Sequence, residues 1–333
     1  VTRATCLEIC AGAGGQALGL ESAGFDHAGA VEIESDACDT LSLNRPNWDV
    51  RQSDVRDLNG RDFRGIDLLA GGVPCPPFSV AGHQRGGDDE RDLFPEALRL
   101  VREAKPAAVM LENVRGLASK RFDDYRAAII AELQAAGYHA DWRLVSAVDF
   151  GVPQLRPRFI LIAMRPRALR RFEWPTPDGS APSVGEALGD LMGSNGWPGA
   201  QAWISRANRI GPTLVGGSRK HGGPDLGPTR ARRDWELLGV DGRGIANEVP
   251  GADDPSDLLP RLTLRMAARI QGFPDSWEFF GRKTSTYRQI GNAFPPPVAA
   301  AIGASLLSAL HSPPRNRSTV SVTAAATSLE LVS

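Results

Sequence analysis

The chain has 333 residues, 42% of them hydrophobic, which is enough for a sizeable core and, at roughly 100–200 residues per domain, for two domains or one with a large insertion. Its formal net charge of -1 neither requires nor excludes a nucleic-acid partner, because local charge matters more than the sum. Four cysteines at positions 6, 10, 38 and 75 without a C-x-x-C pair exclude a disulfide-dense scaffold, and no signal peptide or membrane-length apolar run is read, so a soluble cytoplasmic protein is expected.

In chain order, TCLEI predicts a first strand, and QALGLESAG after the AGAGG turn predicts a helix ending at Gly24. AGAVEI reads as the second strand and DACDTLSLN as a helix stopped before Pro46. IDLLA is a strand, DLFPEALRLVREA a helix, AAVMLE a strand, and FDDYRAAIIAELQAAG a helix ending at Gly137. HADWRLV and RFILIAM are two late strands. Repeated strand–helix–strand units mean an α/β fold with a doubly wound, mostly parallel sheet, whose ligands bind at the carboxyl ends of the strands.

From about 166 to 260 the periodicity fades, and GGSRKHGGPDLGPTRARR shows no core-forming face. Between Arg206 and Arg233 seven basic residues stand against one acidic residue, Asp225; this is a solvated loop or a surface facing nucleic-acid phosphates and base edges. LTLRMAARIQGFP restores regularity, and PPPVAAAIGASLLSAL predicts a terminal helix. The organisation expected is a catalytic and cofactor-binding part over 1–165, a recognition region over 166–260, a return to the catalytic part over 261–311 and a loose tail over 312–333.

Gly12, Gly14 and Gly15 form a turn between strand and helix where backbone can approach a ligand, although the full G-x-G-x-x-G pattern is missing. Glu32 ends the second strand about twenty residues on, where a carboxylate can accept from ribose hydroxyls, and Asp54 can take an adenine amino group. Together they point to a nucleoside-bearing cofactor, the alternative being ordinary capping and surface carboxylates. In GGVPCPPFS three prolines frame Cys75, and a rigid frame suits a nucleophile held to one substrate atom; Cys6, Cys10 and Cys38 suit inert packing better. Glu112, ending the strand in MLENV, is a helix cap or, with Asn113, a group that binds and protonates a heterocycle. Gln154, Arg156 and Arg158 alternate along VPQLRPRFI, which places them on one face of an extended segment and favours a site over a salt-bridged edge. His27, His83 and His139 lack metal-ligand spacing, so no metal site is expected.

The ordered set LEICAGAGG, VPCPPFS, ENV, QLRPR, RLTLR with RIQGFPD, and YRQIGNAFPPPVA resembles the DNA (cytosine-5)-methyltransferase family over about 1–165 and 260–300. The resemblance implies a Rossmann-like methyltransferase domain with a smaller target-recognition domain, S-adenosyl-L-methionine as cofactor, and double-stranded DNA as partner. It assigns Cys10, Gly12, Gly14, Glu32, Ile33, Asp54, Pro74, Leu93 and Asn292 to the cofactor, with Ile33 packing on the adenine. DNA contacts are expected from Ser79, Gln154, Arg219, Lys220 and Arg230. Three departures are noted: Cys10 replaces the usual aromatic, Met266 replaces a glutamate after Arg265, and Phe294 replaces valine.

The chemistry implied is attack of the Cys75 thiolate on cytosine C6, with Glu112 at N3 and Arg156 and Arg158 holding the cytosine O2 and the Glu112 carboxylate. Such attack requires a flipped base. The glycine-rich stretch from Ser79 to Asp92 is a lid or a plain surface loop. A monomer is expected, with a cognate restriction endonuclease as a further partner. The rivals are a related enzyme acting on RNA, a non-catalytic DNA-binding paralogue, and a nicotinamide-dependent oxidoreductase, which leaves the cysteine frame unexplained.

Overall fold

The computed structural model describes residues 3–74, 92–177, 179, 181–217 and 223–311. The first half builds β1 (Ala4–Ile9), α1 (Gly15–Ala23), β2 (Phe25–Glu32), α2 (Ser35–Asn44), β3 (Val50–Gln52), β4 (Leu68–Gly71), α3 (Phe94–Ala104), β5 (Ala108–Val114), α4 (Asp123–Ala135), β6 (His139–Ser146) and β7 (Pro157–Met164). Among the described residues these strands form one seven-stranded sheet, in the order β3-β2-β1-β4-β5-β7-β6.

The strands from β3 to β5 pair in parallel, whereas β7 runs antiparallel to both β5 and β6. The doubly wound, mostly parallel fold therefore stands, with one strand reversed. Helices cover both faces of the central strands, so β4 and β5 read as continuous apolar runs; edge strand β6 alternates toward solvent. The strand order turns back between β1 and β4, which puts the ligand crevice at their carboxyl ends.

The chain continues through α5 (Pro166–Leu169), α6 (Val184–Met192), α7 (Ala200–Arg206), α8 (Thr229–Leu237), α9 (Leu264–Ile270), α10 (Lys283–Asn292) and α11 (Pro296–His311). The region expected to lack a core has one: Trp197, Trp203 and Trp235 pack with Val184, Leu188, Met192 and Leu226. The TRARR segment, read as faceless, lies in α8, whose Trp235 is fully buried. A single large ring anchors a helix that is otherwise charged, and no repeating pattern announces it. α6 starts with a capping box in which Ser183 accepts from the Glu186 N–H and Glu186 accepts from the Ser183 N–H.

The C-terminal helices return to the sheet domain through very close packing. A Cβ on Gly19 would stand 2.3 Å from the Pro296 carbonyl oxygen, and one on Gly303 2.8 Å from the Ala23 Cβ, so α1 and α11 meet only because both glycines lack side chains. Trp277 adds a tether, its Nε1–H donating to the Ala13 carbonyl at 3.1 Å. The stretch 283–311 is long and apolar enough by composition to cross a membrane, which corrects the expectation that none is. It is broken between α10 and α11, and more than half of its apolar window is buried in this packing.

Candidate active site

The cofactor turn is built by backbone that only small residues allow. Gly12 and Gly14 have φ of +54° and +84°, and Cys10 also sits at a positive φ of 51°. Gly15 has no room for a side chain, since a Cβ would lie 2.2 Å from the Phe294 carbonyl oxygen. Glu32 locks the turn from the end of β2. Its Oε2 accepts from the Gly12 N–H at 2.7 Å, while Oε1 accepts from the Ile33 and Glu34 N–H groups at 2.8 and 2.9 Å. The carboxylate is thus fixed before any ligand arrives.

A cavity of about 890 Å³ opens at the carboxyl ends of β1, β2, β4 and β5. Of the residues expected at the cofactor, Cys10, Gly12, Glu32, Ile33, Asp54, Pro74, Leu93 and Asn292 line it. Gly14 does not; it caps α1 with its α-carbon facing Leu41 and Trp277, so its part is to turn the chain. Ile33 is 58% exposed at the rim, an apolar surface against which a flat ring can pack. Asp54 accepts from the Arg56 N–H at 2.9 Å and pairs with its guanidinium at 2.9 Å. The carboxylates and the apolar rim fit the hydroxyls, amino group and ring of a nucleoside cofactor. Reasoning from sequence missed the face of α10 that completes the wall: Ser285, Arg288 and Gln289 line the cavity with Asn292, an i, i+3, i+4, i+7 pattern that was there to be read.

Glu112 reaches the same cavity from β5. Its Oε1 lies 2.6 Å from Arg158 Nε in a pair that is almost wholly buried, and its Oε2 faces Gly72. Asn113 turns the other way and donates to the Val73 carbonyl at 2.8 Å. Pro74 accepts from the Leu93 N–H at 3.2 Å, so the two ends of the cysteine segment are tied together beside Glu112. Cys75 and Ser79 themselves, most of the glycine-rich stretch, and Arg219 and Lys220 lie outside the described residues. Burial raises the pKa of Cys6 and of Cys10 and pushes Cys38 up to about 11, which keeps all three as thiols.

Two members of the alternating polar set are not where the sequence put them. Arg156 is fully buried, with Nη1 donating to the Leu214 carbonyl and Nη2 to those of Gly291 and Ala293, each at 2.8 Å. Those Nη groups are committed to carbonyls, so Arg156 acts as a tie between the sheet, the segment at Leu214 and the C-terminal end of α10, rather than as a ligand of Glu112. Gln154 is likewise fully buried; it donates to the Ile270 carbonyl and the Gln271 Oε1 and accepts from the Leu214 N–H, so it does not face DNA. Only Arg158 of the three pairs with Glu112. Arg230 stands exposed on α8. Met266 is buried among apolar residues, where a carboxylate would be an unpaired buried charge. Among the described residues no group of three or more metal-ligating side chains occurs.

A family model described as C-5 cytosine-specific DNA methylase matches residues 4–308. The chain belongs to the C-5 cytosine-specific DNA methylases. Among its relatives, the Type II methyltransferase M.NaeI of Lentzea aerocolonigenes is 57% identical over 92% of this chain and 75% of its own length. M.NgoMIV of Neisseria gonorrhoeae is 53% identical over 92% and 98%. Among solved structures, a Spodoptera frugiperda DNMT2 variant covers 91% of the chain and 99% of its own, with a TM-score of 0.65 at 17% identity, and this likeness speaks for the fold alone. The activity of this C-5 methylase is therefore methylation of cytosine at C5 in DNA, and its sheet is the S-adenosylmethionine-dependent methyltransferase sheet.

Proposed function

We propose that the chain methylates one cytosine within a specific double-stranded DNA sequence by way of a covalent bond between Cys75 and C6 of a flipped base. The observation that carries this reading is that one cavity is lined both by the glycine turn with Glu32 and by Glu112 and Pro74, the residue before Cys75.

Cytosine C5 is a weak nucleophile until C6 carries an added group. The Cys75 thiolate forms the S–C6 bond while Glu112, oriented by Arg158, protonates or hydrogen-bonds N3, which gives C5 enamine character. When bound, S-adenosyl-L-methionine supplies an electrophilic methyl group to that carbon. Loss of the C5 proton to water or hydroxide then breaks the S–C6 bond by β-elimination and restores the thiolate. Glu32, Ile33 and Asp54 would hold the adenosine part, with Cys10, Leu93 and Asn292 along the wall. C6 is inaccessible in a stacked duplex, so the target base leaves the helix.

The recognition region over 166–260 selects the DNA sequence, with Arg219, Lys220, Arg230 and Ser79 toward the duplex. The Type II names of relatives at 57% and 53% identity support a separately encoded restriction endonuclease as partner. We further infer a monomer acting in the bacterial cytoplasm. The test is Cys75→Ala assayed for transfer of a radiolabelled methyl group to DNA. The variant is expected to bind S-adenosylhomocysteine normally and to transfer nothing; retained turnover would overturn the covalent route. Bisulfite mapping of DNA treated with the wild type identifies the sequence methylated.

A further inference from the structure

The chain on either side of Cys75 is fastened to the strand and helix that carry and follow Glu112. Before the cysteine, Asn113 of β5 donates through Nδ2 to the Val73 carbonyl at 2.8 Å. The Leu93 N–H then donates to the Pro74 carbonyl at 3.2 Å, which joins the two ends of the segment 75–91. After that segment, Tyr125, in the first turn of α4, donates its hydroxyl to the Asp92 carboxylate, 2.7 Å from each oxygen. One side chain from β5 and one from α4 thus hold both ends of the stretch that bears the cysteine.

Asp92 is only 8% exposed, and a carboxylate so placed is costly unless hydrogen bonds serve it. Its Oδ1 also accepts from the Phe94 N–H at 3.0 Å, where α3 begins. That turn needs one oxygen and no tyrosine. Tyr125 packs edge-on against Phe94, with ring centroids 5.9 Å apart, and a phenylalanine would fill the same space. The hydroxyl therefore adds direction rather than packing. We propose that Tyr125 is a positioning residue for methyl transfer, which through Asp92, Leu93 and Pro74 fixes the backbone leading into Cys75 relative to Glu112. This role rests on the reading of Cys75 as the nucleophile and deepens it. The two groups act on opposite atoms of one ring, C6 and N3, and a misplacement of about 1 Å between such partners can cost about 10²-fold in rate.

The test is single-turnover methyl transfer by the full chain, at saturating S-adenosyl-L-methionine and duplex DNA, for Tyr125→Phe, Asp92→Ser and the double variant. Serine keeps an oxygen for the Phe94 N–H and is too short to reach the tyrosine. Each single variant is expected to slow transfer about 5- to 50-fold, with S-adenosyl-L-homocysteine affinity within about twofold of the wild type. The double variant should be no slower than the slower single one, because both changes remove the same contact. Unchanged transfer, or losses that multiply in the double variant, would overturn the proposal. A Tyr125→Phe chain that does not fold, or that loses ligand affinity as much as transfer, would mark the hydroxyl as a support of the fold and overturn it as well. A wild-type chain that forms no covalent adduct with DNA containing 5-fluorocytosine would instead overturn the Cys75 reading, and the positioning role with it.

Discussion

Arg158 and Glu112 face each other across the antiparallel β5–β7 pair, Nε to Oε1 at 2.6 Å, with each side chain only 12% and 11% exposed. The contact exists because β7 is reversed, so that the register sets Arg158 against Val114, beside the end of β5 that carries Glu112. Removing one partner of a buried pair leaves an uncompensated charge, at a cost of about 3–5 kcal/mol. Arg158→Leu is expected to lower single-turnover methyl transfer on the order of 10²–10⁴-fold while the folded variant still binds S-adenosyl-L-homocysteine. A loss of ligand binding equal to the loss of transfer would show that Arg158 supports the fold instead.

Arg156 makes the opposite prediction. Its guanidinium holds three carbonyls from two separate segments, far from solvent. Arg156→Met should lower stability by about 3–5 kcal/mol, because those carbonyls lose a charged donor inside the protein. Methyl transfer and ligand binding should fall together with the folded fraction, read by thermal melting. A stable variant that has lost transfer alone would return Arg156 to the reacting groups.

These two arginines show what the sequence could and could not supply. Alternation in VPQLRPRFI says which side chains share a face, but not what covers that face. The cover comes from Leu214, Ile270 and the end of α10 at Gly291, which are distant in the chain. Glu32, Asp54 and Glu112 were legible because a polar residue just after an apolar strand stands at the ligand edge of such a sheet. Glu8, which also lines the cavity, was not, since it sits inside β1 rather than at its end. The tryptophan core within 166–260 was hidden for a related reason: three isolated rings in a polar, glycine-rich stretch carry no period.

The α1–α11 contact can be tested by steric change alone. Gly19→Ala places a methyl group 2.3 Å from a backbone oxygen, and should destabilise by about 1–3 kcal/mol. Gly65→Ala, at a φ of +87° with open space around it, should lose only the backbone preference, about 1–2 kcal/mol. S-adenosyl-L-homocysteine affinity should fall for the first variant, because α11 follows closely on the end of α10 that bears Asn292, and stay unchanged for the second.

Asp241 gives the fold an acid-sensitive joint. Burial alone would raise its carboxyl, but hydrogen bonds from Arg243 and Arg261 hold it down at about 2. A depressed pKa means stability that is complete above the unfolded value near 4 and lost as the pH falls toward 2. Since the arginine side chains are 72% and 46% exposed, screening limits the contribution to about 1 kcal/mol. Asp241→Asn should therefore melt earlier than the wild type at pH 7, with the gap closing between about pH 4 and pH 2. A gap that stays constant on acidification would remove the ion pairs from this account.

Arg230 lies exposed on α8, among the basic residues between Arg206 and Arg233. If it neutralises a phosphate, Arg230→Ala should reduce the slope of log affinity against log salt by about one, with similar weakening on all sequences. An unchanged slope, measured by fluorescence anisotropy on duplex DNA, would place Arg230 away from the backbone.

The cavity has a bearing on how the protein is made. Its glycine turn is synthesised well before the wall formed by Ser285, Arg288 and Asn292, and before the Trp277 that tethers Ala13. A nascent chain must therefore extend through residues 16–292 before the turn is enclosed. Premature termination anywhere over 166–260 leaves a fragment with an open half-cavity. For a DNA-modifying enzyme the consequence is that the cavity is completed only after the stretch 166–260 has been made.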